Sequence, residues 1–364
     1  MILTAKVKLQ PTEAQANGLK QTLETANAAC NQISDIAWQA RTFGKFAIQK
    51  VVYNNIKSEF GLTAQVVIRC IAKVADAYKL DKKTKRTFKQ HGSIAYDSRI
   101  LSWKLEQREV SIWTVDGRQK ISFLAHDRAL ELLSGKRGES DLCLIGGDFY
   151  LFTSCEVDEA DTKDVDDFLG VDLGVTNIAV DSDATVYSGS AVNNVRYRHR
   201  KLRSKLQSKG TKSARRRLKK LSGKEQRFAK WVNHNISKEI VDTAKHTGRG
   251  IALEDLKGIR DRVRARRGQR AILHSWSFHQ LRSFIEYKSQ LHGIPVVTVD
   301  PRNTSRTCPC CGHIAKANRP NQSTFHCVQC DFSGLADHVA AVNIGSRATV
   351  SLPNISTTDV DFYQ

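Results

Sequence analysis

Three carboxylates and four cysteines in the second half of this 364-residue chain have the types and spacing to do chemistry. In Phe168-Leu-Gly-Val-Asp172-Leu-Gly, Leu169, Val171 and Leu173 share one face of a strand, while Gly170, Asp172 and Gly174 share the other. A carboxylate within an apolar strand is costly unless it is paired or holds a metal. The glycines beside it are expected to leave room for a ligand's backbone. Gly250-Ile-Ala-Leu-Glu254 repeats the pattern, with Ile251 and Leu253 on one face and Ala252 and Glu254 on the other. Asp337 opens a helix whose Ala340, Ala341 and Ile344 share its face, and those small residues allow a close approach to a sheet. Carboxylates on three separate elements suit two divalent ions about 4 Å apart, which drive in-line phosphodiester cleavage. Magnesium (or manganese) prefers such hard oxygen ligands. Singly, each acid has an ordinary reading: Asp337 as a first-turn helix acid, Glu254 as an ion-pair partner of a basic segment. Asp300, at the end of its strand, is a rival third ligand.

Of nine cysteines, Cys30, Cys70, Cys143 and Cys155 stand singly in apolar contexts and read as small core residues. Cys308, Cys311, Cys327 and Cys330 read C-x2-C-x15-C-x2-C, the spacing of a zinc ribbon in which two knuckles close a tetrahedral thiolate cage. The competing reading is disulfides, which a reducing cytoplasm disfavours. Cys310, His313 and His326 are spare ligands. The symmetric all-cysteine set is preferred, and Cys310 is expected to point away.

The positive charge is local. The formal net charge is +20, yet residues 195–230 hold 16 Lys/Arg and one acid, Glu225, and residues 257–270 hold seven Lys/Arg and one acid, Asp261. Together these stretches carry +21, leaving −1 for the rest of the chain. A solvated helix face usually mixes signs; like charges at this density repel one another unless a polyanion lies against them. Arg203, Lys205, Lys212, Arg215, Arg216, Arg217, Lys219, Lys220, Arg264, Arg266 and Arg267 are the candidate nucleic-acid contacts. Leu202, Leu206, Leu218 and Leu221 give the first stretch a thin apolar stripe, as in basic helices lying over a domain. Trp231 and Trp276 flank the inserts and could stack on bases, but Trp276 aligns with Phe278, Leu281 and Ile285 on an amphipathic face, which favours core packing. Arg302 and Arg306 could touch phosphate or simply be solvated.

These residues need elements to hold them. Residues 2–9 alternate as a strand, a helical stretch runs from Pro11 to Ala40, and helical patterning continues to about residue 90. Residues 110–115, 119–124 and 149–157 read as strands, with Asp116-Gly117 a hairpin signal. The first part is therefore a β-barrel-like module holding a helical insertion. The acid-rich stretch 156–167 reads as a boundary and linker. Beyond it come strand 168–180, strand 184–188, basic helices 194–247, strand 249–254, helix 275–291, strand 294–300, the cysteine module 304–332 and helix 336–347, an α/β order with long insertions. No window approaches 18 consecutive apolar residues and the start lacks a signal peptide's apolar core, so a cytoplasmic location, with no membrane partner, is expected.

The motifs resemble a known family. Gly170-Val-Asp172-Leu-Gly-Val-Thr-Asn resembles the first motif of a RuvC nuclease domain, an RNase H-like fold, and Ile251-Ala-Leu-Glu254-Asp-Leu the second. Thr304 to Gly312, Phe325 to Cys330 and Ala336-Asp337-His-Val-Ala-Ala-Val-Asn-Ile resemble the ribbon and third motif. In this order they are similar to the TnpB family, RNA-guided nucleases of insertion sequences and relatives of type V CRISPR effectors. The resemblance covers about residues 168–347. It implies an α/β RNase H-like (RuvC) domain at 168–303 and 333–350, an inserted zinc ribbon at 304–332, and an N-terminal wedge-like β-barrel (1–10 and 95–160) with a helical recognition insertion at 11–94. Residues 351–364 read as a disordered tail. It further implies a guide RNA from the transposon end, a short motif beside a double-stranded DNA target, metal-dependent cleavage on the prokaryotic nucleoid, and Asp172, Glu254 and Asp337 as the metal-binding triad. Protein partners are open, with a monomer or a dimer on one RNA. The competing functions are an RNA-guided DNA-binding regulator without cleavage and a guide-free transposase or resolvase. One departure stands out: the family more often has Asn where this chain has Val339.

Overall fold

Residues 1–256 and 278–350 are described by the computed structural model, and the chain divides into two units, Met1–Asp158 and Glu159 onward. The tail 351–364 and the second basic stretch lie outside the described residues.

In the first unit, β1 (Ile2–Gln10) leads into α1 (Glu13–Gln39), α2 (Lys45–Phe60) and α3 (Ala64–Leu80). Thr12 and Gln15 form a reciprocal capping box that starts α1 directly after Pro11. Then follow β2 (Ile94–Tyr96), β3 (Leu101–Lys104), β4 (Glu109–Thr114), β5 (Gly117–Leu124), α4 (Asp127–Ser134), β6 (Arg137–Ile145) and β7 (Asp148–Glu156). The strands make one antiparallel sheet in the order β2-β6-β7-β1-β5-β4-β3. Its outer strands β2 and β3 are joined by only residues 97–100, so the sheet must curl until its edges approach, giving a near-closed barrel. Thr114 pairs with Gly117 across the tight turn, where Gly117 takes a φ of 94° that favours glycine.

The helices end earlier than the sequence pattern suggests. Residues 81–93 form no regular element and lie along α1, whose Asn27, Asn31 and Ser34 satisfy their backbone. Asn31 donates to Phe88 O (3.0 Å) and accepts from Phe88 N (2.7 Å), Asn27 donates to Gly92 O (2.8 Å), and Ser34 to Arg86 O (2.6 Å). Strands β2, β3 and β6 were not anticipated. The first two are three and four residues long, and β6 opens on Arg-Gly-Glu-Ser-Asp, which lacks apolar alternation.

In the second unit, β8 (Phe168–Asp172), β9 (Asn177–Asp181) and β10 (Val186–Ser188) precede α5 (Ser190–Lys209), α6 (Lys212–Thr247) and β11 (Gly250–Glu254). α7 (Phe278–Leu291), β12 (Val296–Val299), a 3-10 turn (Lys316–Asn318), β13 (Thr324–His326), β14 (Ser333–Leu335) and α8 (Ala336–Val350) complete it. The expected single strand 168–180 is instead a hairpin, because the chain turns after Leu173 and Gly174 N donates to Ile178 O. The sheet order is β10-β9-β8-β11-β12, with β8, β11 and β12 parallel and β9 and β10 antiparallel. On one face Leu169, Val171, Ile251 and Leu253 pack against Ile240 and Val241 of α6 and Leu281 and Ile285 of α7. On the other, Phe168, Ala252 and Val299 pack against Ile344 and Ala348 of α8.

Gly170 serves that second face. A Cβ there would lie 2.0 Å from Ala341 O and 2.4 Å from Gly345 N, so the glycine admits the backbone of α8 and not that of a ligand. At Gly174 the nearest atom would be Asn177 O of its own hairpin (2.7 Å). Room beside Asp172 therefore does not come from its glycine neighbours.

Candidate functional site

Parallel pairing of Val171 with Leu253 sets Asp172 and Glu254 side by side as the last residues of β8 and β11. Ligand crevices in open α/β sheets form outside such strand ends. Asp337, the second residue of α8, lies near enough to act on Asp172 electrostatically. Asp172 has no hydrogen-bond donor among the described residues. Burial chiefly, and then the negative charges of Glu254 and Asp337, raise its carboxyl pKa to about 7, while Arg319 opposes the rise. Burial also raises Glu254, against a hydrogen bond from Thr304 and the charges of Arg347 and Arg319. Two acids whose charges bear on a half-buried carboxylate without donors are a cation-seeking arrangement, and the oxygens of all three are the hard donors that magnesium or manganese prefers.

Pattern reading missed the residues that hold these acids. Thr304 Oγ1 donates to Glu254 Oε1 (2.5 Å), and Asn177 Nδ2 donates to Asp337 Oδ2 (3.0 Å). Arg319 Nη2 lies 3.5 Å from Asp337 Oδ1, a cation brought in from the cysteine module. None belongs to a periodic pattern: Asn177 ends the first of the family-like motifs and Thr304 opens the ribbon one, but their type alone does not tell what they hold, and Arg319 lies in no motif. Asp300 is exposed, accepts from Arg302 N (3.0 Å) and is not among the groups that shift Asp172. A cleft of about 240 Å³ opens beside Glu254, lined by Leu173, Leu256, His279 and Arg282 among others.

Cys308, Cys311, Cys327 and Cys330 come together with all four Sγ atoms within 4.8 Å of one another. Cys308 Sγ is 3.6 Å from Cys330 Sγ, and Cys311 Sγ is 3.6 Å from Cys327 Sγ. A disulfide needs about 2.05 Å. Sulfurs at the corners of a tetrahedron with 2.3 Å metal bonds lie about 3.8 Å apart, so the donor set fits a four-thiolate metal site. Burial works against ionising Cys327, but the backbone N–H groups of Gln329 and Cys330 lower its thiol to about 7. Cys310 is exposed and stands outside the cluster, and His326 is engaged with Ser333 Oγ at 2.7 Å.

The basic residues line a helix pair. Leu206 and Leu221 are buried between α5 and α6, while Lys205, Lys212, Arg215, Arg216, Arg217, Lys219 and Lys220 are exposed. Arg203 differs. It pairs with Glu225, the one acid of this stretch, at 2.7 Å and ties the two helices together. Trp231 is 61% exposed and stacks on Phe228 with ring centroids 6.1 Å apart. Arg264, Arg266, Arg267 and Trp276 lie outside the described residues.

Comparison with known proteins bears on the same segments. Residues 152–258 match a family described as probable transposase (OrfB of IS605), and residues 278–344 match the Cas12f1-like TNB domain. The Cas12f1 endodeoxyribonuclease of Syntrophomonas palmitatica is 32% identical over 46% of this chain and 36% of its own length. A TnpB-like protein of Methanocaldococcus jannaschii is 34% identical over 36% of this chain and 47% of its own. Over these segments the chain is similar to TnpB and Cas12f proteins. The putative RNA-guided DNA endonuclease InsQ of Escherichia coli is 33% identical over 30% of this chain and 24% of its own length. Less than half of each of these three relatives is matched. Among solved structures, a Cas12f1–guide RNA–target DNA complex aligns with a TM-score of 0.59 at 18% identity, over 90% of this chain and 81% of that one. The endonuclease Cas-phi3 aligns with a TM-score of 0.55 at 11% identity, over 96% and 92%. Both likenesses establish a Cas12-type fold. No helix among the described residues is long and apolar enough to cross a membrane.

Proposed function

We propose that the protein is an insertion-sequence-encoded, RNA-guided DNA endonuclease that acts on the prokaryotic nucleoid. What supports this reading is that Glu254, at a neighbouring strand end, and Asp337, on α8, both raise the carboxyl pKa of the half-buried Asp172. In this reading the second unit is a RuvC-like, RNase H-like nuclease domain with a zinc ribbon at 304–332, and the first a wedge-like barrel with a helical recognition insertion. Asp172, Glu254 and Asp337 would hold magnesium or manganese, which when bound supplies Lewis-acid activation of water and neutralises charge on the leaving oxygen. Thr304 and Asn177 fix two of the three carboxylates, and Arg319 presents a cation where a phosphodiester would lie. The exposed cations of α5 and α6 would bind the RNA or DNA backbone. Cys308, Cys311, Cys327 and Cys330 would hold zinc as a closed structural site.

The test is purification from cells that also express the flanking transposon RNA, followed by cleavage of a matched plasmid in magnesium. Co-purifying RNA of defined length, matched-site cleavage, and loss of both nicking and cutting in Asp172→Ala are expected. Binding of a matched target without any nicking, with manganese also tried, would instead mark a regulator. Cutting of transposon ends without RNA would mark a transposase or resolvase.

A further inference from the structure

The cysteine module and the carboxylate site are fastened together at three points. At its start, Thr304 bonds Glu254 through its hydroxyl, and its backbone carbonyl accepts from Asn343 Nδ2 of α8 (2.7 Å). Asn343, itself buried, also donates to Thr307 O at 2.8 Å, one residue before Cys308. In the middle, the buried Asn318 donates to Arg306 O (3.0 Å) and His313 O (3.1 Å) and accepts from Val328 N (3.1 Å). It thus stitches the first cysteine knuckle to the second, and the next residue is Arg319, the partner of Asp337. At its end, the hairpin β13–β14, whose turn carries Cys327 and Cys330, runs without a loop into α8.

Val339 sits at the centre of that last connection. It is two residues beyond Asp337 on α8, yet its side chain lies in the module's own core with Cys308, Phe325, Cys327 and Ala336. It is 1% exposed, and Phe325 and Cys327 are fully buried. The core that encloses two of the four cysteine sulfurs is therefore the one against which the first turn of α8 is packed. A short hairpin with so small an apolar core depends on its metal for order, and loss of that order would reach Asp337 through Val339 and Glu254 through Thr304.

We propose that Val339 is a positioning residue, through which the four-cysteine module sets the carboxylate of Asp337 for divalent-ion binding. The proposal rests on the carboxylate reading above and deepens it: the ribbon is a support of the carboxylate site as well as a possessor of its own metal. Interiors packed to this density transmit small displacements, and changes in residues that orient metal ligands typically cost about 10- to 100-fold in affinity.

The experiment uses the full chain, purified with zinc and freed of nucleic acid, with zinc content measured by mass spectrometry. Manganese binding is followed by electron paramagnetic resonance, since Mn²⁺ favours carboxylate over thiolate sites. Val339→Ala is expected to weaken Mn²⁺ binding about tenfold and broaden the bound-ion spectrum, with Val339→Ile restoring both. Asn343→Asp, which removes the two hydrogen bonds from α8 to the module's start, is expected to weaken binding in the same direction, and it carries the test if Val339→Ala does not fold. Mn²⁺ affinity and spectrum unchanged in the folded variant would overturn the proposal, whether zinc is kept or lost. Asp172→Asn separates the two readings: if it too leaves Mn²⁺ binding intact, the carboxylate site is not where the ion sits.

Discussion

The second unit gathers like-ionising groups twice, and it treats the two clusters differently. The four cysteines stand on knuckles of a module whose buried apolar core is Cys308, Phe325, Cys327, Ala336 and Val339. Two of the three carboxylates stand at strand ends of a five-stranded sheet with apolar layers on both faces, and the third on the helix that covers one of those faces. A small module of that kind draws its folding free energy from the metal, so the ion and the fold are one equilibrium. The carboxylate cluster works against a fold that stands without it, and a metal bound there would relieve a strain. Removing the metal should therefore disorder the first cluster and merely leave the second repelling.

The largest break of that contrast is at the cysteines. Cys327→Ser should release the zinc, at a cost of order 10 kcal/mol locally, and raise hydrogen exchange across residues 304–332 while the sheet stays protected. If the module keeps its protection without zinc, the distinction between the clusters is wrong. Next in size is Gly170→Ala. Its Cβ has no space against Ala341 O, so α8 must lift from β8, at about 4 kcal/mol or more in denaturant unfolding. A change under 1 kcal/mol would mean that α8 is not seated as described.

Asp172 tests the strain itself. Its folded pKa of about 7 lies above that of an unfolded aspartate, near 3.9. Between those values the folded state holds a proton that the unfolded chain has released. Without divalent metal, stability should fall as pH rises from about 4 to about 7, by at most about 4 kcal/mol, and stay level above. Asp172→Asn should remove its share of that slope, leaving what the raised Glu254 contributes, and raise stability at pH 8, even as it abolishes cleavage. Magnesium at pH 8 should stabilise the parent and leave Asp172→Asn unmoved. A metal-free stability that rises with pH over this range would place the cost elsewhere.

How far the site was legible in the sequence follows the same physics. The cysteine spacing and the alternation around Asp172 and Glu254 are short-range patterns, set by knuckle and strand geometry, and they are visible in one sequence. The alanines of 336–344 foretold a close helix approach, but the role of Gly170 was misread, because only the register of α8 on β8 shows which backbone fills the gap. Arg319, Thr304, Asn177 and Asn343 are brought in by tertiary folding over separations that no local period encodes. In the first unit the same limit hid β6 and the course of residues 81–93, whose backbone is satisfied by Asn27, Asn31 and Ser34 and not by a ladder or helix of their own. Acids and thiols announce themselves by type, whereas their supporting residues are ordinary polar side chains in unusual places.

The smallest effect is expected far from either cluster, on α6. Arg215, Arg216 and Arg217 are exposed and have no acidic partner among the described residues, unlike Arg203, which is held by Glu225. Replacing the three by Gln should leave folding, zinc content and Mn²⁺ binding untouched, because none of them packs in a core. It should weaken nucleic-acid binding on the order of tenfold at physiological salt and reduce the slope of log affinity against log salt by up to about 3, one counterion per lost phosphate contact. Arg203→Gln is the matched control. Its charge is already compensated and its loss loosens α5 from α6, so it should lower thermal stability more than it changes the salt slope. If the triple variant keeps the parent's slope while Arg203→Gln loses it, the polyanion lies along the α5–α6 seam rather than along the exposed face of α6.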